Sequence, residues 1–279
     1  MFNYNKYLII SDLDGTLINS QHFISQENLD AISYFTKNGG SFAVATGRTK
    51  DNIRPYIENL ILNGPCILYN GGGIYNFQEE RFLGTEFLDR SAVKEYIIYC
   101  MKNYKNMAVE IFTPEMMYII TPDHILDPYV ESEKQVFSRT TLDEVMKMDW
   151  IKVLLYDSPE ILQKAQFKLE GFNLLDKVDS VFSQVFYLEL IKKGISKGSA
   201  LERLKNSHQY SDKTVIAVGD YDNDIEMISL ADVGIAVGNA RECVKVAADI
   251  VTVSNDENAL HEIIYNIIPS LSNKQILEK

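Results

Sequence analysis

A chain of 279 residues, 46% hydrophobic and 24% charged, has enough apolar material for one large core or two modest ones, which excludes a disordered segment, a collagen-like fibre and a coiled coil. Its 39 acidic residues against 27 basic ones give a net charge of -12, so the overall field repels nucleic acid and anionic membrane. A phosphate bound by such a chain must be held by a local cluster of cations or by a metal.

The run at 7–12, YLIISD, is apolar without alternation, the mark of a strand buried on both faces. It stops at Asp12-Leu13-Asp14-Gly15-Thr16. The spacing of Leu29, Ile32 and Phe35 predicts a helix over 24–38, capped by Ser25 and ended by Gly39-Gly40. A strand over 42–46 leads into Gly47-Arg48, and a helix over 49–62 sets Ile53, Ile57 and Leu60 on one face. A strand over 66–69 then runs into Asn70-Gly71-Gly72-Gly73, which lacks the full G-x-G-x-x-G spacing and reads as a turn. This βαβαβ order starts a right-handed, doubly wound α/β layer.

The middle of the chain has a different pattern. A helix is expected over 92–101, a hairpin from 108–112 and 117–121, a strand over 151–156, a helix over 159–169, and strands over 181–183 and 186–191. Short turns between paired strands indicate an antiparallel sheet with helices on one face. The α/β pattern returns with strands over 214–218, 233–237 and 250–253, alternating with helices over 198–204, 224–230, 239–248 and 259–268. Asn239 with Glu242 three residues on resembles a capping box. The fold class is therefore α/β, with a parallel-sheet core from residues 1–81 and 190–279 and an α+β domain inserted over 82–189.

Cys66, Cys100 and Cys243 form no C-x-x-C pair and read as small core side chains in a reducing compartment, and the four histidines make no zinc pattern. Trp150 and Met116-Met117 read as packing. No apolar run reaches membrane-spanning length and no signal peptide opens the chain, so the expected location is the cytoplasm.

Ligands of an open parallel sheet bind beyond the carboxyl ends of its strands. Three strands here end in reactive residues: Asp12 and Asp14, Thr46, and Asp220. Asp12 and Asp14 are two positions apart and are expected to point the same way. With Asp220 and Asp224 they make an all-oxygen set without His or Cys, suited to a hard divalent cation, and Mg²⁺ fits best beside phosphate. Thr46 offers a hydroxyl and Gly47 a closely approachable N–H. Lys197, at a helix N-terminus, is unfavourably placed for the helix dipole, and a bound phosphate would offset that. Taken singly, each of these reads equally well as an exposed turn, a strand end or a solvated lysine. Their order and their common placement at element ends point to a site.

The motifs Asp12-Leu13-Asp14-Gly15-Thr16-Leu17, Ala45-Thr46-Gly47-Arg48, Ser196-Lys197-Gly198 and Gly219-Asp220-Tyr221-Asp222-Asn223-Asp224 resemble the haloacid dehalogenase superfamily, specifically its Cof-type phosphatases with a large α/β cap of the C2B kind. Gly72 departs from the family's frequent Ala. The resemblance implies Asp12 as nucleophile and Asp14 as general acid and base. It implies Mg²⁺ on Asp12, the Asp14 carbonyl and Asp220, with Asp224 directly or through water, and a phosphoryl group held by Leu13, Thr46, Gly47, Lys197 and Asn223. Arg48 is a candidate substrate contact.

The expected activity is hydrolysis of a small phosphorylated metabolite such as a sugar phosphate, with nucleic acid and membrane excluded as partners. A sugar phosphomutase shares the same motifs. A non-catalytic phosphate sensor would normally have lost a carboxylate. Specificity is expected from the insertion, acting as a lid, with 113–117 and 181–187 as its reading loops.

Overall fold

The computed structural model describes residues 2–132, 135–208 and 210–273. It divides into two compact units, Met1–Gly84 with Ser196–Lys279, and Thr85–Ile195. The strand Tyr7–Asp12 lies at the middle of the first unit's eight-stranded sheet, between Thr214–Gly219 and Ser41–Ala45, and runs parallel to both. Outward from these lie Val233–Ala236 and Ile250–Val251 on one side and Cys66–Leu68 on the other, again parallel. Leu8, Ile9 and Ile10 are fully buried, which is why the run carries no polar alternation. In this register Ser11 pairs with Val218 and Val44, and Asp12 with Ala45. The carboxyl ends of the three central strands are therefore level.

The helix Gln26–Lys37 is capped by Ser25, whose side chain accepts the Asn28 N–H, and buries Ala31, Ile32 and Phe35. Burying side chains such as Ile32 and Phe35 stabilises by roughly 1.5–3 kcal/mol each. The next helix stops at Ile57 rather than at 62. Beyond it Asn63 must leave the helical path, because its side chain accepts the Phe42 N–H and donates to the Gly40 carbonyl. The expected capping box at Asn239 does not form. The helix starts at Glu242 after Arg241, while Asn239 accepts from the Asn255 N–H and donates to the Gly15 carbonyl. Two further strands, Gly73–Asn76 and Arg81–Thr85, were not foreseen. They extend the sheet outward, and Gly73–Asn76 pairs antiparallel with Cys66–Leu68 after the chain reverses at residues 69–71. The last helical run, from Ala259 to Asn273, contains a wider π turn over Ile263–Ile267.

The second unit is a six-stranded sheet in the order Val178–Gln184, Tyr187–Lys192, Lys152–Tyr156, Ala108–Phe112, Met117–Ile119, Phe137–Arg139. It is antiparallel except for its last pair. Helices Arg90–Asn103 and Pro159–Lys168 supply Val93, Ile97 and Leu162 to a core with Val109, Ile111, Val153, Leu155 and Leu190. Strand alternation puts Glu110, Lys152 and Glu189 on the other face. Trp150 is fully buried and donates to the Val145 carbonyl at 2.7 Å, as packing requires. The strand Tyr187–Lys192 belongs wholly to this sheet, so the unit runs on to Ile195 instead of ending at 189. The strand Phe137–Arg139 and the helices Pro128–Ser132 and Leu142–Val145 are too short for periodicity to announce.

Cys66 and Cys100 are buried but Cys243 is exposed, because the short helix Glu242–Ala247 turns Val244 inward instead. Among the described residues no helix is long and apolar enough to cross a membrane.

Candidate active site

Asp12 ends its strand almost completely buried, and the chain then leaves extended geometry. Leu17 and Ile18 donate to the Leu13 carbonyl, and Gly15 takes a positive φ of 80°. A Cβ on Gly15 would lie 2.6 Å from an Asp220 oxygen, so only glycine allows this approach. Asp14 follows on this turn, close enough for its charge to act on Asp12. It lies in an open environment, where Arg48 donates to it through Nε at 2.8 Å and Nη2 at 2.9 Å. The Arg48 guanidinium also stacks 4.6 Å from the Tyr56 ring centroid. Leu13 has a fully buried side chain, so only its backbone is available to a ligand.

Lys197 is the first residue of the helix Lys197–Lys205, behind an N-cap in which Ser196 and Ser199 exchange side-chain and backbone hydrogen bonds. Its Nζ donates to Asp12 Oδ1 at 2.6 Å and to Asp224 Oδ1 at 2.7 Å. These two carboxylates already offset the unfavourable placement of a lysine at a helix N-terminus, a role expected of phosphate. Asp224 is fully buried, and its Oδ2 accepts the N–H groups of Asp220 and Tyr221 at 3.0 and 3.1 Å. It thereby fixes the turn that presents Asp220. Thr16 donates to Asp220 Oδ1 at 2.8 Å.

Thr46 is buried at the end of its strand, and its hydroxyl accepts the Arg48 N–H at 3.1 Å. Asn223 lies on the turn after Asp220, and its Nδ2 donates to Asn70 Oδ1 at 3.1 Å. Asp12, Lys197, Asp220 and Asp224 thus converge. Thr46, Gly47 and Asn223 meet around Asn70, and Asp14 pairs with Arg48.

Burial drives the Asp12 carboxyl well above the usual carboxylate range. Lys197 opposes this, while Asp224, Asp220 and Asp14 reinforce it. Burial and Asp224 also raise Asp220, against the hydrogen bond from Thr16. For Lys197 burial works against the charge, but Asp12 and Asp224 outweigh it and the ammonium is held. One ammonium does not balance three carboxylates. Asp12, Asp220 and Asp224 each offer an oxygen within 4.8 Å of the others, the only such cluster among the described residues. An all-oxygen set with excess negative charge fits a hard divalent cation.

Thr16, Asn70 and Asn239 support the site; in the sequence they belong to stretches that look like the family, without a role of their own. Thr16 follows Gly15 in the first motif and Asn70 precedes Gly71, so position inside a motif was the available signal.

The haloacid dehalogenase-like hydrolase family model matches residues 9–264. The chain belongs to this family. A haloacid dehalogenase-like hydrolase from Bacteroides thetaiotaomicron is 31% identical, with a TM-score of 0.82 over 95% of this chain and 100% of that one. The 5-amino-6-(5-phospho-D-ribitylamino)uracil phosphatase YitU of Bacillus subtilis is 26% identical over 91% of this chain and 94% of its own length. The chloroplastic endoribonuclease YBEY of Arabidopsis thaliana is 27% identical over 92% of this chain, which spans 46% of that longer protein. The chain is an enzyme of the family, a phosphoric monoester hydrolase.

Proposed function

We propose that this phosphatase hydrolyses small phosphorylated metabolites, sugar phosphates foremost, through an aspartyl-phosphate on Asp12 and with Mg²⁺ as its cofactor. The observation that carries this reading is the buried Asp12 carboxylate, paired to Lys197 beside Asp220 and Asp224.

Asp12, the Asp14 carbonyl and Asp220 would hold Mg²⁺, with Asp224 fixing the Asp220 turn. Bound there, the ion supplies positive charge that lets an anionic nucleophile and an anionic substrate approach. A carboxylate oxygen of Asp12 attacks phosphorus, the ester P–O bond breaks, and Asp14 gives its proton to the leaving alkoxide. Asp14 then takes a proton from water as that water attacks phosphorus, which frees Asp12 and inorganic phosphate. Lys197 keeps Asp12 oriented and ionised, while Thr46, Gly47, Asn223 and the Leu13 backbone receive the phosphoryl oxygens. Arg48 holds Asp14 before substrate arrives.

These core residues address the phosphoryl group alone, so we assign discrimination among esters to the inserted unit. A panel of phosphorylated metabolites, run beside an aryl phosphate, tests the reading. At least one sugar phosphate is expected to exceed the aryl ester in kcat/KM. Purified protein that turns over no phosphate ester would contradict it.

A further inference from the structure

Residues 69–71 adopt a rare backbone. Tyr69, Asn70 and Gly71 follow one another with φ of 54°, 53° and 100°. Two successive non-glycine residues in the left-handed region are uncommon and persist where surrounding contacts impose them. The contacts here come from two directions. On one side Tyr69 N–H donates to the Arg48 carbonyl at 3.2 Å, and Asn70 N–H to the Thr46 carbonyl at 3.0 Å. On the other, the Gly71 carbonyl accepts from Arg203 at 2.9 Å, and a Cβ on Gly71 would stand 2.0 Å from the Ser196 carbonyl oxygen. The turn is therefore wedged between the Thr46–Gly47–Arg48 loop and the start of the helix that carries Lys197.

The Asn70 side chain is buried at this junction. Its Oδ1 accepts from Asn223 Nδ2 at 3.1 Å, and its Nδ2 lies 3.0 Å from where a Gly47 side chain would begin. One carboxamide thus touches both segments assigned to the phosphoryl oxygens, although these lie far apart in the chain. A turn needed only for the fold would be met more cheaply by glycine, which takes a positive φ without strain. Asparagine enters the left-handed region more readily than most residues and, unlike glycine, gains the hydrogen bond from Asn223 and a place beside Gly47.

We infer that Asn70 is a positioning residue for phosphoryl binding, acting through Asn223 and the Gly47 loop. The inference rests on the phosphatase reading above. It assigns Asn70 no contact with the reacting atoms.

Asn70→Gly keeps the backbone and removes the amide. With an aryl phosphate it is expected to raise KM, and the inhibition constant of inorganic phosphate, by about five- to tenfold, the worth of one hydrogen bond. The thermal midpoint is expected to hold and kcat to move less than KM. Because part of the effect runs through Asn223, Asn70→Gly placed in an Asn223→Ala background should change the phosphate inhibition constant by less than it does in the wild-type background. An Asn70→Gly variant equal to wild type in KM and phosphate inhibition overturns the inference, as does a fully additive double variant. So does a loss of thermal stability with unchanged phosphate inhibition. Wild-type protein that hydrolyses no phosphate ester overturns the phosphatase reading, whereas the outcomes above, read in an active enzyme, overturn the inference alone.

Discussion

Each unit buries a lysine among carboxylates, and the two clusters meet the same electrostatic problem in different ways. In the first unit Lys197 sits between Asp12 and Asp224, with Asp220 close enough for three oxygens to converge within 4.8 Å. In the second unit Lys152 lies 3.0 Å from Glu189 and over the Phe112 ring, with Glu110 and Asp127 nearby. Asp127 is spent on the Tyr187 hydroxyl and the Tyr129 N–H, and Glu110 Oε1 has no hydrogen-bond partner. No metal-ligating trio forms there among the described residues.

Charge count alone does not make a ligand set. Both clusters hold three carboxylates to one ammonium, but only the core brings its oxygens to a common point. In the second unit a proton on Glu110 would meet the excess charge. Burial, with Asp127 and Glu189 adding to it and Lys152 opposing, pushes the Glu110 carboxyl up to about 8. In the core we assign the missing positive charge to Mg²⁺.

The largest effect should come from Asp12→Asn, which keeps the shape and removes the nucleophilic charge. Turnover of an aryl phosphate is expected to fall at least about a thousandfold with circular dichroism unchanged. Near-wild-type rates would take the nucleophile's role away from Asp12 and make the core cluster no more catalytic than the other.

A smaller effect should appear at Glu110. Its folded value of about 8 lies above its ordinary 4.5, so between these pH values the folded state holds a proton that the unfolded state releases. Stability from this group is therefore full below about pH 4.5 and falls as pH rises through about 8. Glu110→Gln, which mimics the protonated acid, should flatten that slope and raise the thermal midpoint at pH 8 by a few degrees relative to wild type. Melting curves at pH 5 and pH 8 are the check. Parallel pH dependence in the two proteins would mean that the second cluster does not carry its charge as a proton.

Much of the core cluster was legible because its members stand where elements begin or end. Asp12 closes a buried apolar strand, Asp220 follows another, and Lys197 opens a helix. Such boundaries show in the residue pattern, and motif spacing added their company. Other features depend on long-range geometry that local pattern does not carry. The exposure of Asp14 and its pairing with Arg48 follow the turn at Leu13 and Gly15. Asn239 looked like a helix cap, but two distant loops compete for its side chain and win. The Glu110 cluster was invisible for a different reason: a glutamate in an alternating strand reads as facing water, and nothing local shows that its face is buried.

The most direct test of the core assignment is the metal dependence of aryl phosphate hydrolysis by the wild-type protein. Treatment with excess EDTA should bring turnover to background, and Mg²⁺ added beyond the chelator should restore it. Undiminished turnover in EDTA would show that the Asp12, Asp220 and Asp224 cluster works without a divalent cation, contrary to the charge argument made for it.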